Sequence, residues 1–488
     1  MTGPSPLRPA QLRKRAVLIV AVLLLSYGYF YQAGGWNQNA RFDMTRAILE
    51  QHTLSIDTYH ANTQDKALFR GHYYSDKAPG ISLLGIPAAA ATKSALKAAR
   101  MDPNSPQATV AMSYAASLFA VALPTALAAG CLFLVGLCLG AGVSGSSFAA
   151  LSFGLATPMW AYATVFWGHA PAGAFLLFAF VGAVALREPG RPVRDFRLGL
   201  AVGLAAGWAT ISDYPAAPAS FVLAVLALAL VRNDGRPRIM RVFAGLVVGA
   251  GACFLFLVAY QYAVFGSPFS FGYDYDAAYP GMRHGFGLGL PKIDRALKLL
   301  FGGRRGLFFH APIVAAAPFG LWWMWKRQGQ RSIVAAIVII TIYYLIFNSS
   351  FYAWHGGWSY GPRYLAAALP LLCVGLAPLW SYSGPRLRAW LTVLALCSAF
   401  FSLTAVATTV QPVEGMKYPL FQLCIPNFFL GNLSLNHGSF LAQEIPGENH
   451  GAFNLGELAG LHGLLSLVPL FLIWALGGLI WARMNRRN

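Results

Sequence analysis

Twelve apolar runs, each long enough to cross a lipid bilayer, leave this chain of 488 residues few folds to choose from. They lie near 16–33, 108–138, 145–164, 169–186, 197–212, 214–231, 242–264, 306–325, 332–348, 363–380, 389–410 and 459–482. The bilayer interior offers no partners to backbone N–H and C=O groups, so runs of this length have to be helical. Only 11% of the residues are charged and 57% are hydrophobic, whereas a soluble domain carries roughly a quarter charged residues. The expected fold is an all-α polytopic membrane protein of about twelve transmembrane helices, a single membrane domain over 1–488 with no large soluble part.

A thirteenth run, 80–97, is ambiguous because Pro87, Thr92, Lys93 and Lys97 interrupt it. Charge decides it. If it does not cross, the segments on one face (1–15, 139–144, 187–197, 232–241, 326–331, 381–388 and the tail) hold 20 Lys/Arg against three acids, a net +17. The other face holds 16 Lys/Arg and 14 acids, a net +2. Basic loops stay cytosolic, so 80–97 is expected to lie on or dip into the outer leaflet, with both termini inside. The outer face is then built from 34–107, 265–305, 349–362 and 411–458, with Pro291–Leu300 as a second interfacial helix. The run after Arg8, Arg13, Lys14 and Arg15 lacks a clear small-residue cleavage site and reads as an uncleaved first span.

The overall +19 does not point to nucleic acid, since no basic stripe or binding motif accompanies it. Six cysteines are spread singly, with no CxxC and no zinc spacing. The acids have no recognisable ligand spacing either, so no cofactor follows from them, although a divalent cation remains a possible one.

Polar chemistry is concentrated in residues 34–80. This stretch holds Arg41, Asp43, Arg46, Glu50, Asp57, Asp65, Lys66, Arg70, Asp76 and Lys77, with His52, His60, His72 and the pair Tyr73-Tyr74. A connector between spans needs no such density, so we read the stretch as the floor of an active site. Over 40–51, Phe42, Thr45, Ile48 and Leu49 share one helical face, while Asp43, Arg46 and Glu50 share the other, solvated one. Asp43 is expected to begin this helix just beyond the first span, where a carboxylate can accept a proton from an acceptor hydroxyl or amine. Lys77, preceded by Tyr73, Tyr74 and Asp76, opposes the charge bias of its face; it either snorkels or neutralises a lipid phosphate.

Arg304, Arg305 and Arg363 stand at outer ends of spans against the same bias. They serve either as anchors or, with Lys77, as a phosphate cradle, because guanidinium groups bind phosphate oxygens bidentately. Trp354, His355 and Trp358 flank Arg363 and either line a prenyl or sugar path or belong to an interfacial aromatic belt. Asp213 is an isolated acid at an outer turn, a placement that points to function. His169 opens its span on the same face.

An early outer loop with an acid on an amphipathic helix, followed by a Lys-x-Pro entry into the next helix, resembles the GT-C membrane glycosyltransferases. The nearest group is that of protein O-mannosyltransferases and lipid A aminoarabinose transferases. Their motif reads Lys-Pro-Pro; here it is Lys77-Ala78-Pro79. FGSPFSFGY at 265–273, GGRRGLFF at 302–309 and WHGGWSYGPRYL at 354–365 resemble bacterial members of the superfamily. The resemblance implies transfer of a sugar from a polyprenyl-phosphate donor to an envelope glycan, lipid or protein acceptor on the outer face of a bacterial inner membrane. It assigns Asp43 the catalytic acid's position, with Asp213 as the rival, and Lys77 the donor phosphate. Met44 follows Asp43 where a protein O-mannosyltransferase would carry a second acid.

Twelve spans also suit a secondary transporter or a flippase of lipid-linked sugars. Carriers place ionisable groups near the midplane and show repeated halves. Here no Asp, Glu, Lys or Arg falls in the middle of a run, and polar groups crowd one face, so an enzyme is the stronger expectation.

Overall fold

The computed structural model describes residues 8–283, 285–327, 329–436 and 451–486. Helix runs along every one of the twelve apolar stretches. Among the described residues, seven helices are long and apolar enough to cross a membrane: Pro106–Cys138, Tyr214–Val231, Arg236–Phe265, Arg331–Ser350, Arg363–Tyr382, Pro385–Thr408 and Gly463–Arg486. The others are shorter or broken, so the number of spans is not established as twelve. Proline explains the breaks, because it lacks an N–H and clashes with the preceding turn. Val143–Leu155 stops short of Pro158 and resumes as Met159–Ala163, while 306–325 is cut at Pro312 into Leu307–His310, Pro312–Ala316 and Ala317–Trp325. The first span ends at Gly28, and Phe30–Tyr31 is already a strand. Gly80–Ala98 runs without a break through Pro87, and it is not among the seven.

The most extensive helix pairing among the described residues is Pro192–Ser212 against Arg236–Phe265. Gly199 and Gly203 meet the backbone of the partner helix, where an added Cβ would lie 2.4 Å from the carbonyl oxygens of Val242 and Leu246. Gly245 and Gly249 reciprocate, with 2.3 and 2.4 Å to the carbonyls of Phe196 and Leu200. In lipid, where apolar burial does not drive helices together, such small-residue seams let backbones touch and gain dispersion energy.

The outer segments are stitched into one layer by backbone pairing. Lys66–Phe69 and His72–Ser75 form an antiparallel hairpin, where the sequence suggested only a loop. A bridge joins Ala67 to Asp276, and another joins Leu288 to Phe351, so the first loop holds 265–305 and that segment holds 349–362. Phe30–Tyr31 pairs with Phe453–Asn454, closing the layer onto the last loop.

Three local expectations need correction. The first-loop helix is Trp36–Arg46, continued by a π turn over Ala47–Gln51, so Asp43 sits well inside it rather than at its start. Its polar face is not solvated. Arg46 is 7% exposed, stacks over Tyr59 at 4.0 Å and pairs with Glu50 at 3.5 Å. The second interfacial helix begins at Ile293, with Lys292 as its cap, two residues after Pro291. The last loop contains an apolar helix over Leu420–Leu430; its residues 437–450 lie outside the described residues.

Gly203→Leu should force the two helices apart and lower the melting temperature in detergent by several degrees, overpacking costing about 1–3 kcal/mol. Gly251→Leu, on the same helix pair with nothing within 4 Å of its added Cβ, should leave it unchanged. Equal melting curves for the two variants would mean that the seam is not close-packed in the membrane protein.

Candidate active site

Three turns converge on one buried guanidinium. Arg41, 2% exposed, projects from Trp36–Arg46. It donates through Nη1 to the carbonyls of Ala78 (2.9 Å) and Ser212 (3.4 Å), and through Nε to Asn37 Oδ1 (3.1 Å). The turns can approach because two residues lack a Cβ. At Gly80 a Cβ would lie 2.7 Å from the Ile211 carbonyl, and at Gly168 it would lie 2.3 Å from the Ser212 carbonyl and 3.1 Å from Arg41 Nη2. Lys77, His169 and Asp213 are thereby set around a common point, although they are far apart in sequence.

Lys77 stands at the mouth of the Gly80–Ala98 helix. Its Nζ lies 2.8 Å from Asp76 Oδ2 and 3.1 Å from Asp65 Oδ2, and 5.4 Å from the centre of the Tyr273 ring. Burial would lower the ammonium's pKa, but Asp65 and Asp76 outweigh it and hold it well above the ordinary lysine value. Asp76 is 1% exposed. Burial raises its pKa to about 7; Lys77 pulls down on it, while Asp65 and Asp276 push it further up. Gly272 closes over this acid, since a Cβ there would sit 2.6 Å from Asp76 Cα. Asp276 accepts from the amides of Ala278 (2.9 Å) and Tyr279 (2.7 Å), yet burial leaves it above the usual carboxylate range.

On the other side, His169 Nδ1 and Asp213 Oδ2 are 2.7 Å apart. Burial would raise the pKa of Asp213, but the His169 imidazole and the Arg41 and Arg363 guanidiniums hold it below the ordinary aspartate value. Arg363 lies 5.3 Å from the Trp167 ring centre and donates through Nη2 to Tyr364 Oη at 2.6 Å. It interacts electrostatically with Asp65 as well as with Asp213, and so bridges the two halves.

The other expected site residues stand apart from this centre. Asp43 is fully enclosed, accepts from Asn62 Nδ2 at 3.1 Å, and exerts its charge on Lys66. Tyr73 stacks on His60 at 3.9 Å and Tyr74 packs on Phe265 at 5.9 Å, both in the hairpin region. Arg305 is 1% exposed, and its nitrogens donate to the carbonyls of His355 (2.6 Å), Gly357 (2.5 Å) and Arg304 (2.9 Å). A phosphate would have to displace those carbonyls. Arg304 and His355 both face Glu414, at 3.8 and 3.2 Å, tying 349–362 to the last loop. Trp354 lies under Lys298 at 5.9 Å, and Trp358 is 55% exposed. Among the described residues, no group of three or more His, Cys, Asp or Glu is arranged to hold a metal ion.

Arg41 and Asp65 were named only as members of the charged first loop, with no role of their own, and Tyr273 and Asp276 were not named at all. The hairpin that carries Asp65 toward Lys77 and the bridge that brings in Asp276 are tertiary events. The glycine in FGSPFSFGY was the one available signal, since Gly272 is what lets that segment lie on Asp76.

No family model and no curated protein matches the chain. Solved structures do, two of them as follows. Both are of ArnT from Cupriavidus metallidurans, one bound to undecaprenyl phosphate (TM-score 0.52, 13% identity, covering 88% of this chain and 66% of that one) and one in the apo state (TM-score 0.53, 13% identity, 86% and 70%). The fold is that of ArnT. The chain thus spans about two thirds of the length of the lipid-bound ArnT, and the resemblance to the lipid A aminoarabinose transferases read from Lys77-Ala78-Pro79 is matched at the level of the GT-C fold. It is a likeness of architecture between chains that share one residue in eight or so.

Because Asp76 titrates at about 7 beside Lys77, binding of a lipid phosphodiester, which keeps a single negative charge through neutral pH, should depend on pH. Below 7 the acid is neutral and Lys77 has one competitor fewer; above 7 the carboxylate opposes the anion. Affinity should therefore rise several-fold from pH 8 to pH 6. Asp76→Asn should flatten that profile and tighten binding at pH 8. A wild-type profile already flat across this range would exclude Asp76 as the titrating competitor.

Proposed function

We propose that the protein is a polyprenyl-phosphate-dependent glycosyltransferase of the GT-C type, moving a sugar from a lipid-linked donor to an acceptor at the loop face, which the charge bias assigns to the outside. One observation carries the reading: two half-buried cations, Lys77 and Arg363, both under the charge of Asp65, stand with a carboxylate–imidazole pair, Asp213 and His169, on an ArnT-like scaffold. Lys77 and Arg363 would take the donor phosphate, neutralising the charge that grows on it as the bond to the sugar breaks. Tyr273 covers Lys77 and would border the sugar. The ArnT structure holds undecaprenyl phosphate, which supports a polyprenyl phosphate as partner here.

For the acceptor's proton, Asp43 and Asp213 are the two carboxylates at issue. Asp43 is enclosed beneath Asn62 within the first loop, apart from the converging turns that carry Asp213 and His169. Asp213 faces an imidazole and two guanidiniums in the converging turns, and we place the proton-accepting end there, with Asp43 holding the loop. A carrier would need paired ionisable groups in mid-span, which the runs lack.

Purified protein should consume a polyprenyl-phosphate sugar in detergent or nanodiscs. Lys77→Ala and Arg363→Ala should weaken donor binding roughly ten- to a hundredfold, since a charged hydrogen bond is worth about 1.5–3 kcal/mol. In single turnover with saturating donor, Asp213→Asn should lose about 10²–10⁴ in rate and Asp43→Asn less. The reverse order would return the base to Asp43. Donor affinity unchanged in both cation variants would make Lys77 and Arg363 simple anchors.

A further inference from the structure

We infer that His169, through Nε2, is the catalytic base that takes the acceptor's proton, with Asp213 as its positioning residue. This rests on the transferase reading above and goes beyond it in naming the atom. His169 is 5% exposed, and its Nδ1 lies 2.7 Å from Asp213 Oδ2. An ionised carboxylate can only accept, so Nδ1 carries the hydrogen and Nε2 of the neutral ring carries a lone pair. That nitrogen is buried and makes no hydrogen bond to any described residue. A buried acceptor without a partner costs stability and asks for an explanation.

The ring cannot readily turn to find a partner. Tyr162, Trp167 and Tyr364 meet it edge-on, with centroids 6.4, 6.0 and 5.4 Å away. It is also placed beside the phosphate end without touching it. Arg363 interacts with His169 and Asp213 on one side and with Asp65 on the other, and Asp65 pairs with Lys77 at 3.1 Å. An acceptor held against Nε2 would thus lie next to a donor whose phosphate rests on Lys77 and Arg363. Imidazole suits the task better than Asp213 itself, because its free nitrogen can take the proton while the Asp213 carboxylate stays ionised beside it to balance the resulting charge.

In the step, the acceptor's oxygen or nitrogen bonds to the anomeric carbon of the sugar while the bond from that carbon to the phosphate oxygen breaks. The bonding pair leaves with the polyprenyl phosphate, the acceptor's proton passes to Nε2, and Asp213 balances the imidazolium. Release of that proton to water restores the neutral ring.

The test compares wild type, His169→Gln, His169→Ala and Asp213→Asn by separate donor-binding and single-turnover measurements across pH 5–8. With donor binding held, His169→Gln should lose about 10²–10⁴ in rate and lose the acid limb of the wild-type pH profile. Added imidazole should restore part of the rate to His169→Ala, a rescue that a purely structural histidine would not allow. Asp213→Asn should keep an acid limb but move it to lower pH, because the imidazolium loses its counter-charge. If His169→Gln binds donor and transfers within tenfold of wild type with the same acid limb, the inference falls and the transferase reading stands. A wild-type protein that neither binds nor consumes any polyprenyl-phosphate sugar overturns both.

Discussion

The site depends on one buried guanidinium that ties its turns together. Arg41 is buried, and its donors go to the carbonyls of Ala78 and Ser212 and to Asn37. These carbonyls belong to the turn that carries Lys77 and the turn that carries Asp213. Turns in which helices end expose unpaired backbone carbonyls, and at this depth such groups need a partner. A planar fork of donors can serve several at once, which an ammonium could not do with the same geometry. Remove the fork and both turns have unsatisfied oxygens facing one another, with Lys77 and Asp213 no longer fixed in relation to each other. The glycines at 80 and 168 belong to the same device, since any side chain there would occupy the space the guanidinium and its carbonyls use.

Much of the architecture is legible in the sequence because it follows from the solvent. Long apolar runs must be helices in lipid, although the breaks at Pro158 and Pro312 within two of them were not read. The seam between Pro192–Ser212 and Arg236–Phe265 emerges only in the structure, where Gly199, Gly203, Gly245 and Gly249 meet the backbone of the facing helix. Less of the site was legible. Lys77, Asp213, His169 and Arg363 stand out one by one, as charges or polar rings on the face that should have few. That His169 meets Asp213 across 44 positions, or that Asp65 is folded back on Lys77 by a hairpin, leaves no periodic mark in the chain. The polar face of Trp36–Arg46 misled in the opposite direction. Amphipathic spacing says which residues share a face, not what covers it, and here the rest of the loop layer covers Asp43 and Arg46.

The charge arrangement at Lys77 balances a half-buried ammonium and, under the proposed function, would leave room for an anion. A buried ammonium without counter-charges would be costly, so the fold supplies Asp65 and Asp76 within 3.1 Å. Burial of the Asp76 carboxyl, with repulsion from Asp65 and Asp276 added, outweighs the pull of Lys77 and raises it to about 7. The cheapest way to admit a phosphate is then to let Asp76 take up a proton and give its place near the ammonium to the phosphate oxygen. Net charge around Lys77 is nearly conserved in that exchange, and no water has to be readmitted to a closed site. Arg363 contributes differently: it feels the charge of Asp65 and lends its own to Asp213, so under the proposed function a phosphate resting on it would lie toward the His169 side.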